Sequence, residues 1–487
     1  MRCRFSSQLT LNQTPIERVK IPSKSRDELP PILLALQWIF TTPKVNEQIF
    51  SLLEKKILAD KKDTGRPGMD LWQILVLGTI RLGLNCDYDR LEHIANYDSL
   101  VRQIMGVSAQ LQEDESKHFH AKTICQNVNH VDADLLQQIN ETVAQEGLSL
   151  VTKKDEKLNV KTDTFVVETN IHFPTDMNLL WDAKCKCIEL CVLLCAVLGI
   201  GSWRKHKDWK KRLKSLMRKV SKISASGGKN KAARLTEAVK AYLQASKELQ
   251  AKVAESIQEL EQTGLDLVQT LRLMELKQFH EDQIKHIDLI IRRLLEDETI
   301  PHEEKLFSLF EPHSDFIIKG KQRPPIELGH KLQITTQQHS LIIDYQLADC
   351  IKESDTLKPL VERLHSRFGQ DSLASLSADK GFSEKETIKE LEEMLEDVSI
   401  SKRGRRNEAE RAKENTKRFK QLKNAHSVVE SDINCLEHHG LDRCPDKGLH
   451  GYKRYIGFGV LSYNLHKIGN HLLAQLRPSQ KPRKKAA

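Results

Sequence analysis

The chain has 487 residues, 39% of them hydrophobic and 29% charged, with 76 Lys and Arg against 67 Asp and Glu. That length allows about three domains and an ample core. The longest apolar run, Leu190 to Ile200, has 11 residues against the roughly 20 of a membrane span, which excludes an integral membrane protein.

Residues 1–30 are polar and irregular and read as a flexible N-terminus; no charged-then-apolar leader opens them, so a cytoplasmic protein is expected. Residues 31–148 read as helical. The run Asp70-Leu-Trp-Gln-Ile-Leu-Val-Leu-Gly-Thr-Ile-Arg-Leu follows the loop signal Gly65-Arg-Pro-Gly and places Asp70 at a helix start. A second short helix begins at Asp87 and carries Leu91 and Ile94. The turn Gly83-Leu-Asn-Cys-Asp between them suggests a helix-turn-helix-like unit, a weak pattern because many helical hairpins bind nothing.

Residues 158–169 are rich in Val and Thr and read as a strand. A helical block follows over 178–297. Cys187, Cys191 and Cys195 fall at i, i+4 and i+8 of an apolar run, which is a packed helix stripe rather than a zinc cluster with Cys185. The ten cysteines as a whole point to reduced thiols, not to a disulfide scaffold. Between Ser202 and Arg234 lie 13 Lys and Arg against one acid, so this segment carries +12 and the rest of the chain −3. A stripe so localised suits a polyanion, through Lys205, Lys207, Lys210, Lys211, Arg212, Lys214, Arg218 and Lys219; the bland reading is a solvated helix face. Two further basic stretches, Lys402 to Lys423 and the tail Arg477 to Lys485, favour the polyanion. Gly227-Gly-Lys lacks the spacing of a phosphate loop and reads as a hinge. Leu235, Val239, Tyr242, Leu249, Val253, Ile257 and Leu260 recur at helical spacing, an amphipathic helix or coiled-coil hairpin whose far arm, with Ile284, Ile287, Ile291 and Leu294, packs back on it.

Strands return at 315–319, 326–334 and 341–345. A helix near 356–367, a strand 373–379, a helix near 384–395, a strand 398–401 and a long helix through Phe419, Leu422, Val428, Ile433 and Leu436 complete the pattern. Such alternation means an α/β fold with a mixed sheet. Three acids stand out by position: Asp163 in the first strand, Asp379 at the end of a later strand, and Glu430 on the long helix. Carboxylates gathered from two strands and a helix repel unless a cation joins them, and hard divalent ions take such oxygens. The competing reading is that acids at strand ends are caps or surface residues.

The segment Thr162-Asp-Thr-Phe-Val-Val-Glu-Thr-Asn-Ile-His-Phe-Pro-Thr-Asp176 resembles the first-aspartate motif of bacterial insertion-sequence DDE transposases, and Ser377-Ala-Asp-Lys-Gly-Phe-Ser resembles the second. His426-Ser-Val-Val-Glu-Ser-Asp-Ile-Asn-Cys-Leu-Glu-His-His-Gly is similar to the glutamate motif of the ISNCY-type group. Phe310-Glu-Pro-His-Ser-Asp-Phe-Ile-Ile-Lys-Gly-Lys, Glu327-Leu-Gly-His-Lys and Gly65-Arg-Pro through Leu84 fit the same family, so the resemblance runs from about 60 to 475. It implies a ribonuclease H-like core over 158–175 and 311–475, holding Mg²⁺ or Mn²⁺ on Asp163, Asp379 and Glu430. It also implies cleavage and joining of double-stranded DNA by a dimer or higher assembly. A catalytically silent, transposase-derived DNA-binding regulator is the alternative. Glu437 competes with Glu430 as third acid, and Asp176 and Glu168 compete with Asp163, although strand alternation turns Glu168 to the opposite face. Cys435, His438, His439, Cys444 and His450 match no common zinc spacing; His438 or His439 approaching the scissile phosphate is a further expectation.

Overall fold

The computed structural model describes residues 2–5, 13–59, 68–110, 118–153, 155–318, 326–348 and 351–476. Gly65-Arg-Pro, the Lys319-Gly-Lys end of its motif and the basic tail lie outside them. The chain forms two compact units, Met1–Asn170 with Ile317–Ala487, and Ile171–Phe316.

The first unit opens with the helices α1 (Leu29–Thr41), α2 (Pro43–Ile57), α3 (Leu71–Gly83), α4 (Tyr88–Tyr97), α5 (Ser99–Ile104), α6 (Ala121–Val128) and α7 (Ala133–Val151). Side-chain caps set several starts: Asp87 accepts the Arg90 N–H at 2.8 Å and Asp132 that of Leu135 at 2.9 Å. The described part of 1–30 is anchored, contrary to a loose terminus. The carbonyls of Cys3 and Arg4 accept the first-turn N–H groups of α3, at 3.0 and 3.1 Å, and Arg4 pairs with Glu47 and Glu54 on α2. Helix α3 is buried along its whole length, and α4 turns Asp89, Arg90 and His93 outward beside its cap Asp87. The hairpin thus buries α3 and exposes on α4 a face of mixed charge.

The second unit is a helical bundle: α8 (Asp176–Val197), α9 (His206–Ala225), α10 (Lys231–Glu261) and α11 (Leu267–Leu294). Helix α11 packs on α8 as well as on α10, so the hairpin expected from spacing is part of a larger bundle. Cys187, Cys191 and Cys195 lie in its core, and burial pushes the Cys187 thiol up to about 12. They pack as small hydrophobes.

The sheet holds β1 (Leu158–Thr169), β2 (Asp315–Ile318), β3 (Ile326–Thr336), β4 (Ile342–Leu347), β5 (Leu373–Ala378), β6 (Asp397–Ile400) and β7 (Arg443–Cys444). Its order is β2-β3-β1-β5-β6, with β4 beside β3 and β7 beside β1. Strand β1 runs antiparallel to β3 and parallel to β5, and β6 runs parallel to β5. This is a mixed sheet of the kind the ribonuclease H-like expectation calls for. Parallel neighbours need crossovers, supplied by α12 (Leu357–Phe368) and α13 (Lys385–Met394). After α14 (Glu408–Asn415), helix α15 (Lys417–Leu436) packs on β1, β5 and β6 through residues that include Val429 and Ile433.

Helix α16 (Gly448–Leu476) has no counterpart among the elements read from the sequence. It packs on α1, α3 and α7. Glycine costs about 1 kcal/mol in a helix interior, which hides such a helix from propensity. The packing requires it: a Cβ on Gly469 would stand 1.8 Å from the Pro31 carbonyl oxygen. Where α3 meets the loop before α16, Arg81 makes a buried two-pronged bond to Asp446, at 2.6 and 3.0 Å, over the ring of Tyr88.

Candidate active site

Asp163 sits in the middle of β1, opposite Ile334 of β3, and accepts the Thr164 N–H at 2.7 Å. Its neighbour Thr162 pairs with Ala378, the last residue of β5, so the parallel register carries Asp379 off the strand end beside it. Both aspartates line one open cleft of about 440 Å³ with Thr164, Lys331, Glu353, Lys380, Gly381 and Arg403. Strand ends of parallel pairs are where such sheets leave room for ligands.

Glu353 was not anticipated. It stands in a short turn before α12, accepts the Thr164 hydroxyl at 3.0 Å and pairs with Lys331 at 3.2 Å. Gly381 explains how closely the acids gather. A Cβ there would fall 2.6 Å from an Asp379 oxygen and 2.7 Å from a Glu353 oxygen, so a bare backbone is needed between them. The Gly381 N–H donates to Asp379. Arg403 donates to the Lys380 carbonyl at 2.6 Å, bringing a guanidinium to the rim.

Burial raises the Asp163 carboxyl to about 6; the charges of Asp379, Glu353 and Glu430 push the same way, and the Thr164 N–H opposes them. Glu430 is thus within electrostatic reach of Asp163. It is exposed on α15, beside the buried Val429, and does not line the cleft. Glu437 starts the irregular turn 437–441 beyond α15. His426, one helical turn before Glu430, lies 3.4 Å from the Ser377 hydroxyl; burial lowers its pKa, against the pull of Asp379 and Glu430. It belonged to the quoted glutamate motif without a role, whereas nothing in the local pattern singled out Glu353.

The remaining candidates lie elsewhere. Asp176 belongs to the second unit and pairs with Arg293 at 2.8 Å; Glu168 pairs with Arg443 at 2.7 Å. His439 is buried with its ring on the Gly83 carbonyl at 2.9 Å, and His438 faces Glu28 at 3.9 Å, so neither joins the acids. His450 lies beside Arg454.

The donor set suits hard divalent cations: carboxylate oxygens, one carboxyl already lifted by burial and by its neighbours, and a cradle that a Cβ would fill. Among the described residues these acids do not bring three oxygens within 4.8 Å of one another.

On α9, Lys207, Lys211, Lys214, Arg218 and Lys222 follow at steps of four, three, four and four and form one exposed stripe. Lys205 and Lys219 are exposed beside it. Lys210 and Arg212 are committed to Glu189 and Glu248, both at 2.8 Å. In the 402–423 stretch, Lys402, Arg406, Lys413 and Arg418 are likewise paired with acids.

Fold and cleft together define a mixed α/β protein in which acids from the middle of β1, the end of β5 and the turn before α12 share one cleft. Residues 303–465 match the family described as Transposase DDE domain, which implies a function connected with transposition. The match takes in Asp379 and Glu430, with Asp163 upstream of it. Neither the curated proteins nor the solved structures compared with the chain gave a match. None of the described helices is long and apolar enough to cross a membrane.

Proposed function

We propose that the chain is the transposase of an insertion sequence of the ISNCY type, cutting phosphodiesters at the element's ends and joining the freed 3′-hydroxyl to target DNA. The observation that carries this reading is the cleft shared by Asp163, Asp379 and Glu353, with Glu430 in electrostatic reach, inside a chain that matches a DDE domain. Asp163, Asp379 and Glu430 would hold Mg²⁺ or Mn²⁺. When bound, such ions supply an activated water and charge stabilisation for the leaving oxygen. Lys331 and Arg403, at the cleft, would orient the scissile phosphate, and the Thr164 hydroxyl keeps Glu353 turned inward. The α9 stripe would neutralise DNA phosphates, which calls for steep salt dependence. Two ends must meet, so a dimer or higher assembly is expected on DNA.

A silent DNA-binding descendant is the second reading, favoured by the position of Glu430 outside the cleft lining. The test is nicking of a supercoiled plasmid that carries the coding region with its native flanks, with Mg²⁺ and with EDTA. Metal-dependent cuts at the flanks, lost in Asp163→Asn, Asp379→Asn and Glu430→Gln, support the transposase. Cutting by Asp163→Asn at the wild-type rate rejects the proposed centre, and tight binding without any cut supports the silent descendant.

A further inference from the structure

A second cluster of metal-ligating side chains lies among the N-terminal helices and shares no residue with the acidic cleft. Glu92 on α4 and His118 and His120, just before α6, each present a ligand atom, and the three atoms lie within 4.8 Å of one another. The backbone holds them there. Asn96, one turn after Glu92 on the same face of α4, clamps Phe119 with two bonds: it accepts the Phe119 N–H at 2.9 Å and donates to its carbonyl at 2.7 Å. The Phe119 side chain is buried and His120 is in extended backbone, while the rings of His118 and His120 lie side by side. Their rings are 4.4 Å apart. Glu92 faces them from the turn above, 3.9 Å from His120, while its other oxygen accepts the Ala121 N–H at the start of α6.

Side by side, two imidazoles gain nothing from one another, and the inner one is left wanting. Nδ1 of His118 is buried with no hydrogen-bond partner among the described residues. A buried polar nitrogen without a partner costs free energy that a bound cation would return. We propose that Glu92, His118 and His120 bind a divalent ion of the zinc class. Two imidazole nitrogens and one carboxylate oxygen are a borderline donor set, which selects Zn²⁺ or Co²⁺ over Mg²⁺. Ligand atoms on a tetrahedral ion with bonds of about 2.0–2.1 Å stand roughly 3.3 Å apart, so small side-chain rotations close the site. Three protein ligands leave one position for water. The ion would staple α4 to the segment that leads into α6.

The experiment is a titration of the full-length chain, stripped with EDTA and dialysed, with Co²⁺, read by visible d–d absorption and by displacement with Zn²⁺. One equivalent is expected, unchanged in an Asp163→Asn/Asp379→Asn double variant and unaffected by excess Mg²⁺. The band is lost in His118→Gln/His120→Gln. His120→Gln alone, at an exposed position, should melt like wild type in EDTA yet bind Co²⁺ more than tenfold more weakly. Absence of a band in wild type, or the same band in the double histidine variant, overturns the proposal.

Discussion

Asp163→Asn in metal-free buffer separates the electrostatic argument from catalysis. In the folded chain burial, with three other carboxylates facing it, pushes this carboxyl from its ordinary 3.8 up to about 6. Between those two values the folded state binds more protons than the unfolded state, so the stability contributed by this group is lost as pH rises from about 4 to 6 and stays lost above it. About two pH units at about 1.4 kcal/mol each put the cost near 3 kcal/mol. Asparagine keeps the oxygen that accepts the Thr164 N–H and nearly the same volume, but carries no charge. Asp163→Asn should therefore be more stable than wild type by about 2–3 kcal/mol at pH 7.5 in EDTA, with the difference vanishing near pH 4. Urea unfolding of both proteins from pH 4 to 8 measures it, and titrating groups remote from the cleft contribute equally to both. Added Mg²⁺ should stabilise wild type and leave the variant where it was. A variant no more stable than wild type at pH 7.5 in EDTA, or a difference that does not change with pH, refutes the reasoning.

Gly469→Ala should destabilise the first unit by about 2 kcal/mol or more although alanine is the better helix former, since its Cβ meets a backbone carbonyl that cannot rotate away; a urea midpoint equal to or above wild type counts against close α1–α16 packing. Replacing Lys207, Lys211 and Arg218 together with Gln should leave the melting temperature unchanged. It should also flatten the plot of log affinity for duplex DNA against log salt by up to about 0.9 per lost phosphate contact; an unaltered slope removes α9 from the DNA interface.

How much of this was legible without coordinates follows from the range of the forces involved. Where the signal is local, the reading was close. Strand β1 covers 158–169 as its Val and Thr content implied, Asp70 and Asp87 mark the starts of α3 and α4, and the cysteine stripe of α8 is a packed face. Each depends on a few neighbouring residues. The helix α16 escaped because its glycines argue against a helix on their own, and two of them, Gly457 and Gly469, are explained by Leu136 and Pro31, hundreds of residues away. The contacts of Arg4 are distant in the same way, since what holds it is a pair of glutamates on α2. In the cleft, Asp163 and Asp379 stood out because one rides on a strand and the other directly follows a strand end. Glu353 sits in a turn, and only the pairing of β1 with β3 and β5 brings its carboxylate across to Thr164 and Gly381. Periodicity and capping are properties of a short window of chain and are written there; which carboxylates share a cleft is decided by strand order and by approaches close enough to demand glycine, and these exist only once distant segments have packed.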